Sequence, residues 1–218
     1  MDWARAIEIN RKALTQIVAE IFALLGLVGG GTVERLPRAL TLAAERLLRP
    51  AESALRRLIV IAARGLIVKP SPKRPMPKGL LIVRKGDKAM SFRLFDTRKT
   101  FDFIVAENPL FINVKTYGSN PFSLFSPSRP VEQGGGPNAI QLCRRLAAVA
   151  HALKTLPCQA LRLARWRERR KTIAHPTFTS PLRPGPPPGH RAKPTAEVDF
   201  VLKECHALAW DVVREDSS

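Results

Sequence analysis

The chain has 218 residues, 45% of them apolar, which is enough for one large or two small domains with a real core and excludes disorder throughout. Lys and Arg number 36 against 18 acids, a net charge of +18, so the composition points to polyanionic partners: an anionic membrane surface, an acidic protein or nucleic acid. Three cysteines in no close pair exclude the disulfide framework of a small secreted domain.

At the N-terminus, Trp3, Ile7, Asn10, Leu14, Ile17, Ile21, Leu24 and Val28 recur at alternating steps of four and three, an apolar helical stripe that Gly29-Gly30-Gly31 brings to a stop. The single Asn10 in this seam is the kind of residue that fixes the register of a paired helix. Two pairings are open: a helical hairpin within the chain, or a homodimer through Trp3–Val28. Pro37 and Pro50 each stand where a first helical position is expected, which predicts two further helices. Leu36, Leu40, Ala43 and Leu47 stripe one, and Leu55, Leu58, Ala62 and Leu66 the next. The run from Leu58 to Val68 is apolar nearly all round apart from Arg64, so it is either deeply buried or in contact with lipid.

Residues 13–33 are long and apolar enough to raise the question of a transmembrane span, but Gln16 and Glu20 fall inside them. An acid at mid-span costs about 2.5–3.5 kcal/mol on insertion scales. Glu20 also interrupts any signal-peptide core, and no Ala-x-Ala site follows it. A soluble or interfacial helix is the first reading, a single span the second. The stretch Lys69-Pro-Ser-Pro-Lys-Arg-Pro-Met-Pro-Lys78 then reads as an extended linker, either a spacer or a basic grip on acidic lipid headgroups through Lys73, Arg74 and Lys78.

Beyond Lys78 the period changes to two. Leu80–Val83, then Met90, Phe92 and Leu94, then Phe101, Phe103 and Val105, then Leu110, Ile112 and Val114 predict four strands in a meander, with a Gly86-Asp87 turn after the first. A short helix from Asp96 to Glu107, capped by Asp96, is the alternative for part of it. Seven of the ten Phe lie between Phe92 and Phe125, which suits the core of a small sheet. Gly134-Gly135-Gly136 ahead of Pro137 has neither an apolar strand before it nor a Lys-Ser/Thr pair after it, so it is a loop rather than a phosphate cradle.

The positive charge concentrates in residues 137–193, which carry 12 Lys/Arg and one acid. Ile140, Cys143, Leu146, Ala147, Ala150 and Leu153 stripe one helix. Pro157 opens another, in which Leu161, Ala164 and Trp166 stand beside Arg162, Arg165, Arg167, Arg169, Arg170 and Lys171. An arginine-rich helix with one Trp suits a nucleic-acid groove or a membrane surface. Its plain alternative is a solvated face, because Arg outnumbers Lys two to one, as a GC-rich bacterial genome tends to produce. Pro181–Pro194, with six prolines, predicts a second extended linker. Val198, Val201, Leu202, Cys205, Leu208 and Val212 stripe a final acidic helix, expected to fold back on the Cys143 and Leu161 helices and to shield part of their basic surface.

No His/Cys spacing matches a metal or nucleophile motif: Cys205 and His206 are adjacent and diverge by about 100° on a helix. Neither catalytic residues nor a cofactor are assigned. The expected fold is therefore α+β and mostly helical. It consists of an N-terminal hairpin or bundle (1–68), a Pro/Lys linker (69–78), a small antiparallel β-meander with a long loop (79–136), a basic helical segment (137–180), a Pro-rich linker (181–194) and an acidic amphipathic helix (195–218). The expected function is that of a non-enzymatic basic adaptor at a polyanionic surface, peripheral on the inner, cytoplasmic face of a membrane. Nucleic-acid binding through residues 161–171 is the alternative, and an enzyme with a remote Cys/His site the third.

Overall fold

Asp2 starts the first helix: its carboxylate accepts the Arg5 amide at 3.0 Å, which satisfies one of the orphan donors of the first turn. The helix, α1, runs from Trp3 to Leu24 and ends where Gly26 takes a left-handed conformation, one turn before the glycine triplet expected to stop it. In this computed structural model the described residues are 2–27, 35–68, 91–96, 139–171 and 181–215. They hold four more helices: α2 (Arg38–Ala62), α3 (Ala139–Lys154), α4 (Leu156–Lys171) and α5 (Glu197–Glu215). The chain divides into two units, residues 1–96 with 136–218, and residues 97–135; the second lies outside the described residues.

The expected α+β class is corrected. Among the described residues the regular structure is helical and contains no strand. The predicted strands at 80–83, 101–105 and 110–114 lie outside the described residues, as does most of the alternative helix from Asp96. The one predicted strand that reaches into them does keep its period of two. Phe92, Leu94 and Asp96 are buried while Ser91, Arg93 and Phe95 face outward, yet the segment lies against helices instead of pairing in a sheet. Alternation reports an extended chain with one covered face, and helices cover a face as well as a sheet does.

The two helices predicted across Pro50 are one helix. Proline in a helix interior removes the N–H that would bond the carbonyl four residues back, a loss of about 3 kcal/mol when nothing compensates. Here the orphaned Arg46 carbonyl accepts a hydrogen bond from Arg191 Nη2 at 3.1 Å, supplied by the Pro-rich segment. Gly189 of that segment lies against the proline ring: a Cβ there would stand 2.7 Å from Pro50 N, and its φ of +84° belongs to the left-handed region. Residues 181–194 are thus docked along α2, with Pro181, Leu182 and Pro187 buried. Gly189→Ala is expected to cost about 2–5 kcal/mol, from backbone strain plus overpacking, read as a lowered urea midpoint.

The other four helices all pack on α2. That explains why its last turn is apolar all round: Leu58, Ile59, Val60 and Ile61 are buried in the core, with Leu55 a turn before them, and do not face lipid. The helix stops at Ala62, so Leu66, expected on its stripe, is instead exposed. On α1, Asn10, Leu14, Ile17 and Ile21 are buried against α2, α3 and α5, so the middle of the seam is covered within the chain, while Leu24 is 39% exposed. Asn10 does act as a register pin, between α1 and α5: its Nδ2 donates to Glu204 Oε1 at 3.0 Å and its Oδ1 accepts from Cys205 Sγ at 3.4 Å.

The core faces of α3 and α4 are rotated from those expected. On α3, Leu142, Val149 and Ala152 join Cys143, Leu146 and Leu153. On α4, Leu156, Ala160, Leu163 and Ala164 are buried and Leu161 turns outward. The final helix is also relocated. Val198, Leu202, Cys205 and Leu208 are buried as expected, but α5 packs on α2 and α1 and not on the Cys143 and Leu161 helices.

Candidate functional site

Two charged constellations stand out, one inside the bundle and one on its surface. The inner one begins with Arg56 and Arg57, which follow one another in the part of α2 that other helices surround. Arg57 is fully buried. Its Nη2 donates to Asp96 Oδ2 at 3.1 Å, its Nη1 to the Ser53 carbonyl at 2.9 Å and its Nε to His206 Nδ1 at 3.0 Å. Asp96 Oδ1 faces Arg56 Nη1 at 3.6 Å, and the Arg183 amide donates to Asp96 Oδ2 at 3.3 Å. Arg56 continues the string to Glu52 at 3.7 Å, and Glu52 holds Arg145 of α3 through both carboxylate oxygens, at 2.9 and 3.2 Å. Arg145 is also 3.6 Å from Glu45.

Within this string the Arg56, Arg57 and Arg145 cations face the carboxylates of Glu45, Glu52 and Asp96, so the formal charges balance. Burial presses the pKa values of Arg56 and Arg57 downward while the facing carboxylates oppose it, and a guanidinium remains charged under such a load. The bidentate bond to Glu52 raises that of Arg145. With its members paired to one another, the string ties α2, α3, α5 and residues 91–96 and 183 together. It is a clamp.

His206 is its pH-sensitive end. Burial first, then the Arg57 cation and neighbouring His190, lower its pKa, and Asp96 only partly offsets them. A neutral imidazole is also what lets Nδ1 accept from Arg57. The unfolded chain then takes up a proton on this histidine before the folded one does. Stability from this group is therefore complete above about pH 6.5 and declines as pH falls below it. A His206→Gln variant is expected to show a shallower loss of stability between about pH 7 and pH 5 than the unsubstituted protein; parallel pH profiles in urea titrations would refute the assignment.

The surface constellation is the outer face of α4, which carries most of the arginines singled out in the sequence. Arg162, Arg165 and Arg169 are exposed, together with Leu161. Helical steps of three and four put them on one side. Arg162 Nη1 donates to the Phe92 carbonyl at 3.0 Å, and Arg169 Nε to the Arg165 carbonyl at 3.2 Å. Arg170 lies over the Trp166 ring at 5.5 Å, and Trp166 meets Phe95 edge-on at 4.8 Å. Trp166 is half-buried and props the edge of this face rather than standing out from it. Arg167 is half-buried on the inner side, and Lys171 closes the helix. Lys73, Arg74 and Lys78 lie outside the described residues.

The acidic helix does not shield this face. Glu215 pairs with Arg64 at 2.8 Å, Glu204 accepts from Asn10, Asp199 pairs with Arg191 at 3.4 Å, and Asp211 with Arg214 at 3.8 Å. These four carboxylates of α5 are engaged with α1, α5, Arg64 and Arg191 and not with Arg162 or Arg165 of α4. The expectation that the tail covers basic surface is corrected for the same reason that its packing is: α5 sits on α2 and α1.

Among the described residues no group of three or more His, Cys, Asp or Glu side chains could hold a metal ion. Burial pushes the Cys205 thiol up to about 12, and Cys143 is buried too, whereas Cys158 is exposed on α4. No described helix is long and apolar enough to cross a membrane. Sequence reasoning missed the inner clamp. Its signal was Arg57, which has Ala54, Val60 and Ile61 at its helical neighbour positions. Comparison with protein families, with curated proteins and with solved structures finds no match for this chain.

Proposed function

We propose that the protein is a non-enzymatic adaptor that docks on an anionic membrane surface through the outer face of α4. The observation that carries this reading is the exposure of Arg162, Arg165 and Arg169 around an exposed Leu161, uncovered by the acidic helix. Guanidinium groups recognise phosphate oxygens in paired fashion, and a leucine among them suits a headgroup layer with hydrocarbon beneath it. The overall charge of +18 favours the same class of partner at long range.

Each basic residue near an anionic surface contributes about 1 kcal/mol, so reversing Arg162, Arg165 and Arg169 to Glu is expected to weaken vesicle binding at least about a hundredfold. The measurement is flotation with vesicles containing acidic lipid, against purely zwitterionic vesicles, over a range of salt. Binding that requires acidic lipid, falls with salt and is lost in the triple variant supports the reading. Full recovery in the unbound fraction at low salt ends it. If duplex DNA or RNA strips the protein from the vesicles and binds it with the same three-arginine dependence, the nucleic-acid reading of residues 161–171 takes its place.

A further inference from the structure

The end of α2 carries an apolar tip that the core does not use. After Ala63, which is buried, Gly65 turns the chain through a left-handed φ of +67°, and Leu66 and Ile67 follow at 39% and 95% exposure. An isoleucine almost wholly in water is unusual, since isoleucine is among the residues most often fully buried. The base of the turn touches two other helices. Arg64 pairs with Glu215 at 2.8 Å and stacks over the Trp3 ring at 4.8 Å, joining the tip to α5 and α1. In sequence the tip is followed at once by Lys69, Lys73, Arg74 and Lys78.

We propose that Leu66 and Ile67 form a lipid-inserting tip, which adds hydrophobic anchoring to the electrostatic adsorption described above. This rests on the membrane reading and deepens it. Exposure and charge together select this position from the other exposed apolar side chains. Phe200 stands on a helix with Glu197, Asp199 and Glu204 around it, a neighbourhood that an anionic surface would repel, while Ile9 beside Arg5 and Lys12 and Leu42 beside Arg38 and Arg46 are only half-exposed, at 54% and 46%. Ile67 combines the greatest exposure of these four, 95%, with the basic stretch that follows it in the chain. Basic residues at the headgroups with an apolar side chain reaching below them is the arrangement that gives peripheral proteins a second, salt-insensitive component of binding.

The test places a reporter at the tip of the full-length chain. Ile67→Cys is made together with Cys158→Ser, leaving Cys143 and Cys205 buried, and the new thiol is labelled with a polarity-sensitive fluorophore. Vesicles of phosphatidylcholine with phosphatidylserine are added, with and without a quencher on the acyl chains. The expected result is a blue shift on binding and quenching by the acyl-chain probe. Separately, Ile67→Ser is expected to weaken partition about tenfold while leaving its salt dependence unchanged. Vesicle binding with neither shift nor quenching overturns the tip and leaves the α4 reading standing. Absence of vesicle binding overturns both. A blue shift without vesicles that grows with protein concentration means that a second copy covers the tip, and also overturns the proposal.

Discussion

Deletion of residues 195–218 is expected to abolish cooperative unfolding. Helix α5 buries Val198, Val201, Leu202, Leu208 and Val212 against α2 and α1. At about 1.5–3 kcal/mol for each fully buried side chain, this burial is of the same order as the whole net stability of a domain. The truncated chain also exposes the facing side of α2 and strips His206 from Arg57 and Glu204 from Asn10. A urea titration followed by far-ultraviolet circular dichroism should lose its sigmoidal transition, and binding of an apolar dye should rise. Within the intact chain, Leu202→Ala should lower stability by about 2–5 kcal/mol through the same contact. A truncated protein with an unchanged midpoint would show that α5 is an appendage. The basic face of α4 gains little from the deletion, because Asp199, Glu204, Asp211 and Glu215 are engaged with Arg191, Asn10, Arg214 and Arg64.

Asp96→Ala is expected to destabilise the protein by about 3–5 kcal/mol, since it leaves Arg57 buried without its carboxylate and withdraws one of the two carboxylates facing Arg56 and the acceptor of the Arg183 amide. The loss measures an uncompensated charge, not the net worth of the pair. Taking two charges out of water costs several kcal/mol each, and their attraction only approximately repays it. Replacing both partners together, Arg57→Met with Asp96→Leu, should therefore recover most of the stability. Equilibrium urea unfolding of the three variants reads both results. An Asp96→Ala variant within about 1 kcal/mol of the unsubstituted protein would mean that water reaches the pair and that the clamp is not one.

The apolar stripes of α1 and α5 were readable because helical period and burial coincide there: Leu14, Ile17 and Ile21, and Val198, Leu202 and Cys205, stand on the core face that their spacing marks. The continuity of α2 was not readable. Pro50 carries a local signal to begin a helix, and what overrides it is a guanidinium 145 positions from the Arg46 carbonyl that the proline orphans. The period of two at Phe92 and Leu94 was legible as an extended segment, but spacing does not say whether a sheet or a group of helices covers it. The arginines of α4 were named from the sequence as a group. Only packing separates the exposed Arg162, Arg165 and Arg169 from Arg167 on the inner side and Arg170 against Trp166.

By itself the sequence determined where helices could form, how much apolar surface they must hide and that the surface left over is strongly basic, because period, propensity and charge are properties of neighbouring residues. The tertiary structure decided which helices meet. Apolar faces are interchangeable partners as far as the hydrophobic effect is concerned, so nothing in the stripe of α5 prefers α2 and α1 to α3 and α4. Directional polar contacts distinguish them: Asn10 with Glu204 and Cys205, and Arg57 with His206 and Asp96, satisfy buried donors and acceptors in this pairing. Such groups are separated by 39 to 195 positions in the chain and converge only when it folds, which is why the clamp and the uncovered face of α4 belong to the fold and not to any segment of it.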